Sequence, residues 1–139
     1  MKKWSLLILL CGLLLAFSAC GTASGDTSAV RIDYGESQLY TTEDLDAAIA
    51  VIKETFSTWQ GCVLYSLSYA GDESAAENLD YCNSLSDGPL YTECLVFESA
   101  FRSPLRGGGA WAANREYEWS WYLAREAGGS WQLLTWGYA

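Results

Sequence analysis

Carboxylates and arginines are the side chains of this chain that offer acid/base or ionic chemistry. The 139 residues contain no histidine, so a Ser-His-Asp or Cys-His arrangement and a histidine metal centre are both excluded. Three glutamates, Glu98, Glu116 and Glu118, lie on neighbouring predicted strands, and Arg102 is close to them. Such carboxylates suit general acid/base catalysis, but alternate strand residues of this kind usually form a solvated sheet face. We therefore predict no catalytic residue, no metal site and no cofactor.

The cysteines provide a second possible chemistry. Of five cysteines, Cys11 and Cys20 precede the folded domain, which leaves Cys62, Cys82 and Cys94. The absence of C-x-x-C spacing and of histidine gives no support to a zinc or thioredoxin-like site. We predict that the three are mainly buried free thiols. The alternative is one disulfide, for which Cys62 with Cys94 is favoured because both begin predicted strands.

Aromatic residues are more numerous than a small core requires, with seven Trp, nine Tyr and four Phe. The predicted loop at residues 103–114 combines three consecutive glycines with arginine and tryptophan, a composition typical of binding loops. The candidate binding residues are Arg102, Arg106, Trp111 and Tyr122. The alternative is that Trp111 folds back over the core and that the glycines only permit a turn.

The N-terminus has the pattern of a secretory signal. Lys2 and Lys3 precede an apolar run over residues 4–19, which is short for a membrane span. The sequence Ser18-Ala19-Cys20 resembles the lipobox of bacterial lipoproteins, in which the cysteine is acylated and becomes the new N-terminus. This resemblance predicts a signal peptide at residues 1–19, with Cys20 attached to membrane lipid on the extracytoplasmic face. Phe17 stands where leucine is usual, so ordinary cleavage after Ser18 is an alternative, and an uncleaved anchor is another.

Composition also separates a tether from a domain. Residues 20–36 are rich in Gly, Thr, Ser and Asp, which predicts a flexible tether, and residues 37–139 then form one domain.

The net charge of the chain is strongly negative. Without Lys2 and Lys3, there are 6 basic and 17 acidic residues, a net charge of 6 − 17 = −11. Affinity for nucleic acid depends on clustered Lys and Arg, so we predict that the chain does not bind nucleic acid.

Periodic apolar residues predict two helices. Thr41 is a candidate N-cap followed by acidic first-turn residues, and a stripe at helical spacing continues to about Trp59, before a stop at Gly61. This stripe consists of Leu45, Ala48, Ile49, Ile52 and Phe56. Ser74-x-x-Glu77 resembles a capping box and predicts a second, shorter helix.

Alternation predicts the strands that carry the candidate residues. Residues 62–69 place Val63, Tyr65, Leu67 and Tyr69 on one face. Residues 91–102 are apolar on both faces, which favours a central strand, and residues 115–126 form a hairpin with residues 131–138. We predict an α+β fold with a long N-terminal helix packed on a curved, mainly antiparallel sheet of about four strands.

Two segments carry a family resemblance. The stretches TTEDLDAAIAVIKETFSTWQGCVLYSLSYAGDE and WQLLTWGY resemble small lipoproteins of Gram-positive bacteria, and the order of elements is similar to cystatin-like and NTF2-like folds. The resemblance implies a lipoprotein but no activity, because such folds host enzymes and binding modules alike.

The functional expectation follows from these patterns. We expect a membrane-anchored, non-catalytic binding or interaction module with a carbohydrate or protein ligand. The alternatives are a carboxylate-dependent enzyme acting on a glycan or small molecule, and a purely structural role.

Overall fold

The computed structural model describes residues 24–138, which form one five-stranded sheet with helices on both faces. In chain order the elements are β1 (Arg31–Asp33), α1 (Thr42–Ser57), β2 (Val63–Tyr69), α2 (Asp72–Glu77), α3 (Leu79–Ser84), β3 (Glu93–Arg102), β4 (Glu116–Arg125) and β5 (Gln132–Gly137).

The strands lie in the order β1-β2-β3-β4-β5, and only the β1–β2 pair is parallel. The α+β class, the mainly antiparallel sheet and the central position of β3 are therefore confirmed. The prediction of about four strands is wrong by one, and α1 is not the first element because β1 precedes it. With only three residues, one of them apolar, β1 is too short to show a periodic signal.

The segment before β1 is joined to the domain. The Gly25 amide donates to the carbonyl of Ser57 at 2.9 Å, and Asp26 pairs with Val63. Gly25 is buried so closely against α1 that a Cβ there would overlap the carbonyl oxygen of Phe56. Ordered contacts thus begin ahead of residue 37, inside the range predicted as a tether. The predicted signal peptide and Cys20 lie outside the described residues.

Helix α1 begins as the sequence predicts. The Thr41 hydroxyl accepts from the Asp44 amide, and the Asp44 carboxylate accepts from the Thr41 amide, which completes a capping box. All five residues of the predicted apolar stripe are buried. The helix ends at Ser57, and Gly61, with a φ of 76°, turns the chain into β2.

The second helical segment differs from its prediction. It begins at Asp72 after Gly71, has no side-chain cap, and breaks at Asn78 into α2 and α3. The predicted capping box at Ser74 is therefore wrong. Gly71, with a φ of 99°, lets the chain enter the helix directly after β2 without the N-cap that the motif requires.

A register shift in β2 changes the predicted faces. The pairing with β3 is irregular between Leu64 and Ser66, so Leu64 lies buried with Leu67 and Tyr69 while Tyr65 is exposed. The prediction that Tyr65 shares a face with Leu67 is wrong. An extra residue in one strand reverses the alternation that the sequence pattern assumes.

The two faces of the sheet have separate cores. The first packs α1 against alternate residues of β2, β3 and β4, and includes Cys62. The second is smaller and places Cys82 of α3 on Cys94, Val96 and Ala124. All three cysteines are buried, as predicted. The favoured pairing of Cys62 with Cys94 is wrong, because these residues lie on opposite faces.

Candidate functional site

On the sheet face that carries α2 and α3, the part that these helices do not cover forms a depression of about 1070 Å³, which we call the sheet cleft. It crosses β1 to β4. The polar residues that line it include Arg31, Tyr65, Ser66, Ser68, Glu98, Glu116, Glu118 and Ser120.

The cleft exists because side chains change in size and polarity along this face. At the start of β3, Cys94 and Val96 face the helices, whereas the next residues on the same face are Glu98 and Ala100. The strand register then places small residues next to these positions, with Ser68 and Ser120 on either side of Glu98 and Ser66 beside Ala100. Small residues in one row leave a hollow between the helices and the sheet edge.

Two carboxylates share the floor of the cleft. Glu98 pairs with Ser120 and Glu118 pairs with Ala100, so the two glutamates are diagonal neighbours on adjacent strands, a relation that usually places the Cα atoms about 7–8 Å apart. Both are exposed. Within residues 24–138 the ion pairs involve only Arg102 and Arg125 as cations. Glu98 and Glu118 therefore present unpaired negative charge to a ligand.

Arg102 does not line the cleft itself but holds three groups in place, of which Tyr65 and Glu116 do line it. Its guanidinium donates to the Tyr65 hydroxyl at 2.9 Å, to Asn114 Oδ1 at 2.8 Å and to Glu116 Oε1 at 2.7 Å. The hydrogen bond to Tyr65, with the added attraction of Glu116, raises the pKa of Arg102. Arg102 thus orients Tyr65 beside the cleft and fixes the end of the following loop.

Trp111 lies on the other side of the sheet. It is half-buried, and its ring is 5.4 Å from the rings of Trp59 and Phe101 and 5.1 Å from that of Trp119. It belongs to an aromatic group at the end of α1 that also includes Tyr117, Trp121 and Trp136. Trp111 therefore folds back over the core, as in the alternative that the sequence left open.

The loop at residues 103–114 is folded on itself. The Pro104 carbonyl accepts from the amides of Gly107 and Asn114. Gly107, Gly108 and Gly109 all have positive φ, a conformation that other residues rarely adopt. Arg106 is exposed at the tip of this loop.

Tyr122 lies beneath α3, with its ring 5.2 Å from that of Tyr81. Arg102, Arg106, Trp111 and Tyr122 therefore do not converge, and none of them lines the cleft, although Arg102 bonds to two residues that do. Sequence reasoning missed Arg31, which fell in the predicted tether, and Tyr65, which was placed on one face with Leu67 and Tyr69. The signal that points to this site is the pair of alternate serines in β2, Ser66 and Ser68, together with the glutamates of β3 and β4.

No protein-family model, curated protein or solved structure matches this chain. In the part of the chain that the structure describes, no helix combines the length and apolar character needed to cross a membrane. The same residues contain no group of three or more Cys, Asp or Glu arranged to hold a metal ion.

Proposed function

We propose that this protein is an extracytoplasmic lipoprotein, anchored through acylated Cys20, whose domain binds a carbohydrate in the sheet cleft. The observation that supports binding there is an uncovered sheet face of small polar residues beside unpaired carboxylates. We also assign the domain to the cystatin-like or NTF2-like type. A helix on one face of an antiparallel sheet and an open pocket on the other support that assignment.

The chemistry of the cleft suits a ligand rich in hydroxyl groups. The carboxylates of Glu98 and Glu118 accept hydrogen bonds, while serine hydroxyls both donate and accept them. Arg31 adds a cationic donor at the β1 side, and the exposed Tyr65 ring offers an apolar surface for a sugar ring. A nucleic acid would meet repulsion from these carboxylates.

A second candidate is a glycan-cleaving enzyme. Glu98 and Glu118 are diagonal neighbours on adjacent strands, and glycoside hydrolysis uses a pair of carboxyl groups roughly 5–9.5 Å apart. A general acid usually needs a desolvated carboxyl group, and both glutamates are exposed. We therefore prefer binding without catalysis.

The test uses the purified chain and a panel of soluble oligosaccharides that includes peptidoglycan fragments. We expect a saccharide to bind, and the double variant Glu98→Gln/Glu118→Gln to weaken its affinity at least about 10-fold, which corresponds to roughly 1.4 kcal/mol. Glu54→Gln is the matched control, because Glu54 is exposed on α1, across the sheet from the cleft.

Three outcomes separate the candidates. Equal affinity in the double variant, or no binding to any saccharide, contradicts the proposed site. New reducing ends released by the wild type but not by the double variant would instead favour the enzyme.

A further inference from the structure

Two buried thiols lie close together between α3 and β3. The Sγ atoms of Cys82 and Cys94 are 3.0 Å apart, about 1 Å more than a disulfide bond. The two residues are 0% and 2% exposed. Their surroundings are apolar side chains, among them Leu79 and Val96. Each sulfur therefore has the other as its close polar neighbour.

We propose that Cys82 and Cys94 form a disulfide bond that fastens α3 to β3. The third described cysteine, Cys62, does not compete, because it lies in the core on the opposite face. The hydrogen bond between the two thiols lowers the pKa of Cys82, and that bond together with burial raises the pKa of Cys94.

The reaction requires an oxidant that itself carries a disulfide, such as oxidised glutathione or a disulfide-bearing oxidoreductase. One thiolate attacks a sulfur of the oxidant, which forms a mixed disulfide and releases one thiol. The second thiolate then attacks the protein sulfur of the mixed disulfide and releases the other thiol. The protein loses two electrons and two protons, and the oxidant is reduced to two thiols.

Burial determines when this exchange can occur. Neither sulfur is accessible in the folded domain, so an oxidant reaches them during folding or when α3 opens locally. For the same reason, reductants act slowly on the bond once α3 has packed. The bond closes a loop whose exposed residues include Leu85 and Leu90, and it fixes α3 on the same face of the sheet as the cleft.

The decisive measurement is a peptide map of the wild-type full-length chain, folded in the presence of oxidised glutathione. Free thiols are blocked with N-ethylmaleimide in denaturant, and the unreduced chain is cut after glutamate. Cys62, Cys82 and Cys94 then fall in separate peptides, at residues 55–73, 78–93 and 94–98. We expect a linked pair of the second and third peptides, and Cys62 carrying the blocking group.

Cysteine variants test whether the disulfide bond stabilises the folded domain. Cys62→Ser should keep the linked pair, whereas Cys82→Ser should lose it and melt roughly 10 °C below the oxidised wild type. Reducing the wild type should remove most of that difference. Blocked thiols on both Cys82 and Cys94 after oxidation, or a link that involves Cys62, would overturn the proposal even if Cys82→Ser fails to fold.

Discussion

Arg125 joins three elements through one side chain. Its guanidinium donates to Glu93 Oε2 at 2.6 Å and to Asp44 Oδ1 at 2.9 Å, and it lies 4.2 Å above the ring of Trp131. Burial lowers the pKa of Arg125, but the hydrogen bonds to both carboxylates outweigh burial and raise it. This arginine therefore stays charged and ties the first turn of α1 to β3 and β4.

Removal of this charge leaves the carboxylates of Glu93 and Asp44 without an ion-pair partner. We expect Arg125→Ala to lower the free energy of unfolding by about 2–3 kcal/mol, measured by urea denaturation. Arg125→Lys should recover only part of the loss, since an ammonium group lacks the planar fork that contacts both carboxylates. Arg115→Ala, at an exposed arginine, is the control, and an equal loss there would contradict a specific role for Arg125.

Asp72 makes stability depend on pH. Its carboxylate accepts from the Ser37 hydroxyl, the Gln38 amide and the Tyr69 hydroxyl, and the bond from Ser37 is the largest cause that lowers its pKa from 3.8. Because the folded pKa is below the unfolded one, this stabilisation is present above about pH 4 and is lost as the pH falls further. We expect Asp72→Asn to flatten the fall in melting temperature below that pH. Asp87→Asn, in an exposed loop, should leave the acid profile unchanged.

At the scale of elements, sequence periodicity predicted the helices and strands in which many apolar residues recur at a regular spacing. The stripe from Leu45 to Phe56 and the alternation in β4 were enough to locate α1 and the hairpin. β1 and the register shift near Tyr65 were not predictable in this way, because each depends on a partner strand distant in sequence. Those two features bring Arg31 and Tyr65 to the sheet cleft, so the sequence indicated the glutamates of the cleft but not these two residues.

The loop after β3 makes a testable contribution through Trp111. Its ring packs on Trp59, Phe101 and Trp119, so Trp111→Ala should remove half-buried aromatic contacts and cost about 2 kcal/mol, less than the 3–5 kcal/mol of a fully buried Trp. Thermal unfolding measures this cost. Leu105→Ala is the control in the same loop, because Leu105 is 79% exposed. An unchanged melting temperature in Trp111→Ala would instead support a surface anchor.

For the whole molecule, the position of Gly25 limits the reach of the proposed lipid anchor. Only 25 − 20 = 5 residue steps separate Cys20 from Gly25, which is hydrogen-bonded to the end of α1. A chain of this length spans at most about 18 Å. An acylated Cys20 would therefore hold the domain close to the membrane, with the end of α1 and the start of β2 nearest the lipid.

If Cys20 is the anchor, its sulfur atom determines whether the protein is acylated and retained in the membrane fraction. Cells that produce the wild type should incorporate labelled palmitate into this protein and retain it in the membrane fraction, whereas Cys20→Ser should lose the label. Cys62→Ser is the matched control, because Cys62 is buried in the core beneath α1 and should leave labelling unchanged. A single acyl chain binds membranes only marginally, so stable retention requires more than one chain on the same cysteine. Equal labelling of the wild type and Cys20→Ser would refute the anchor, and would leave the sheet cleft to be tested independently.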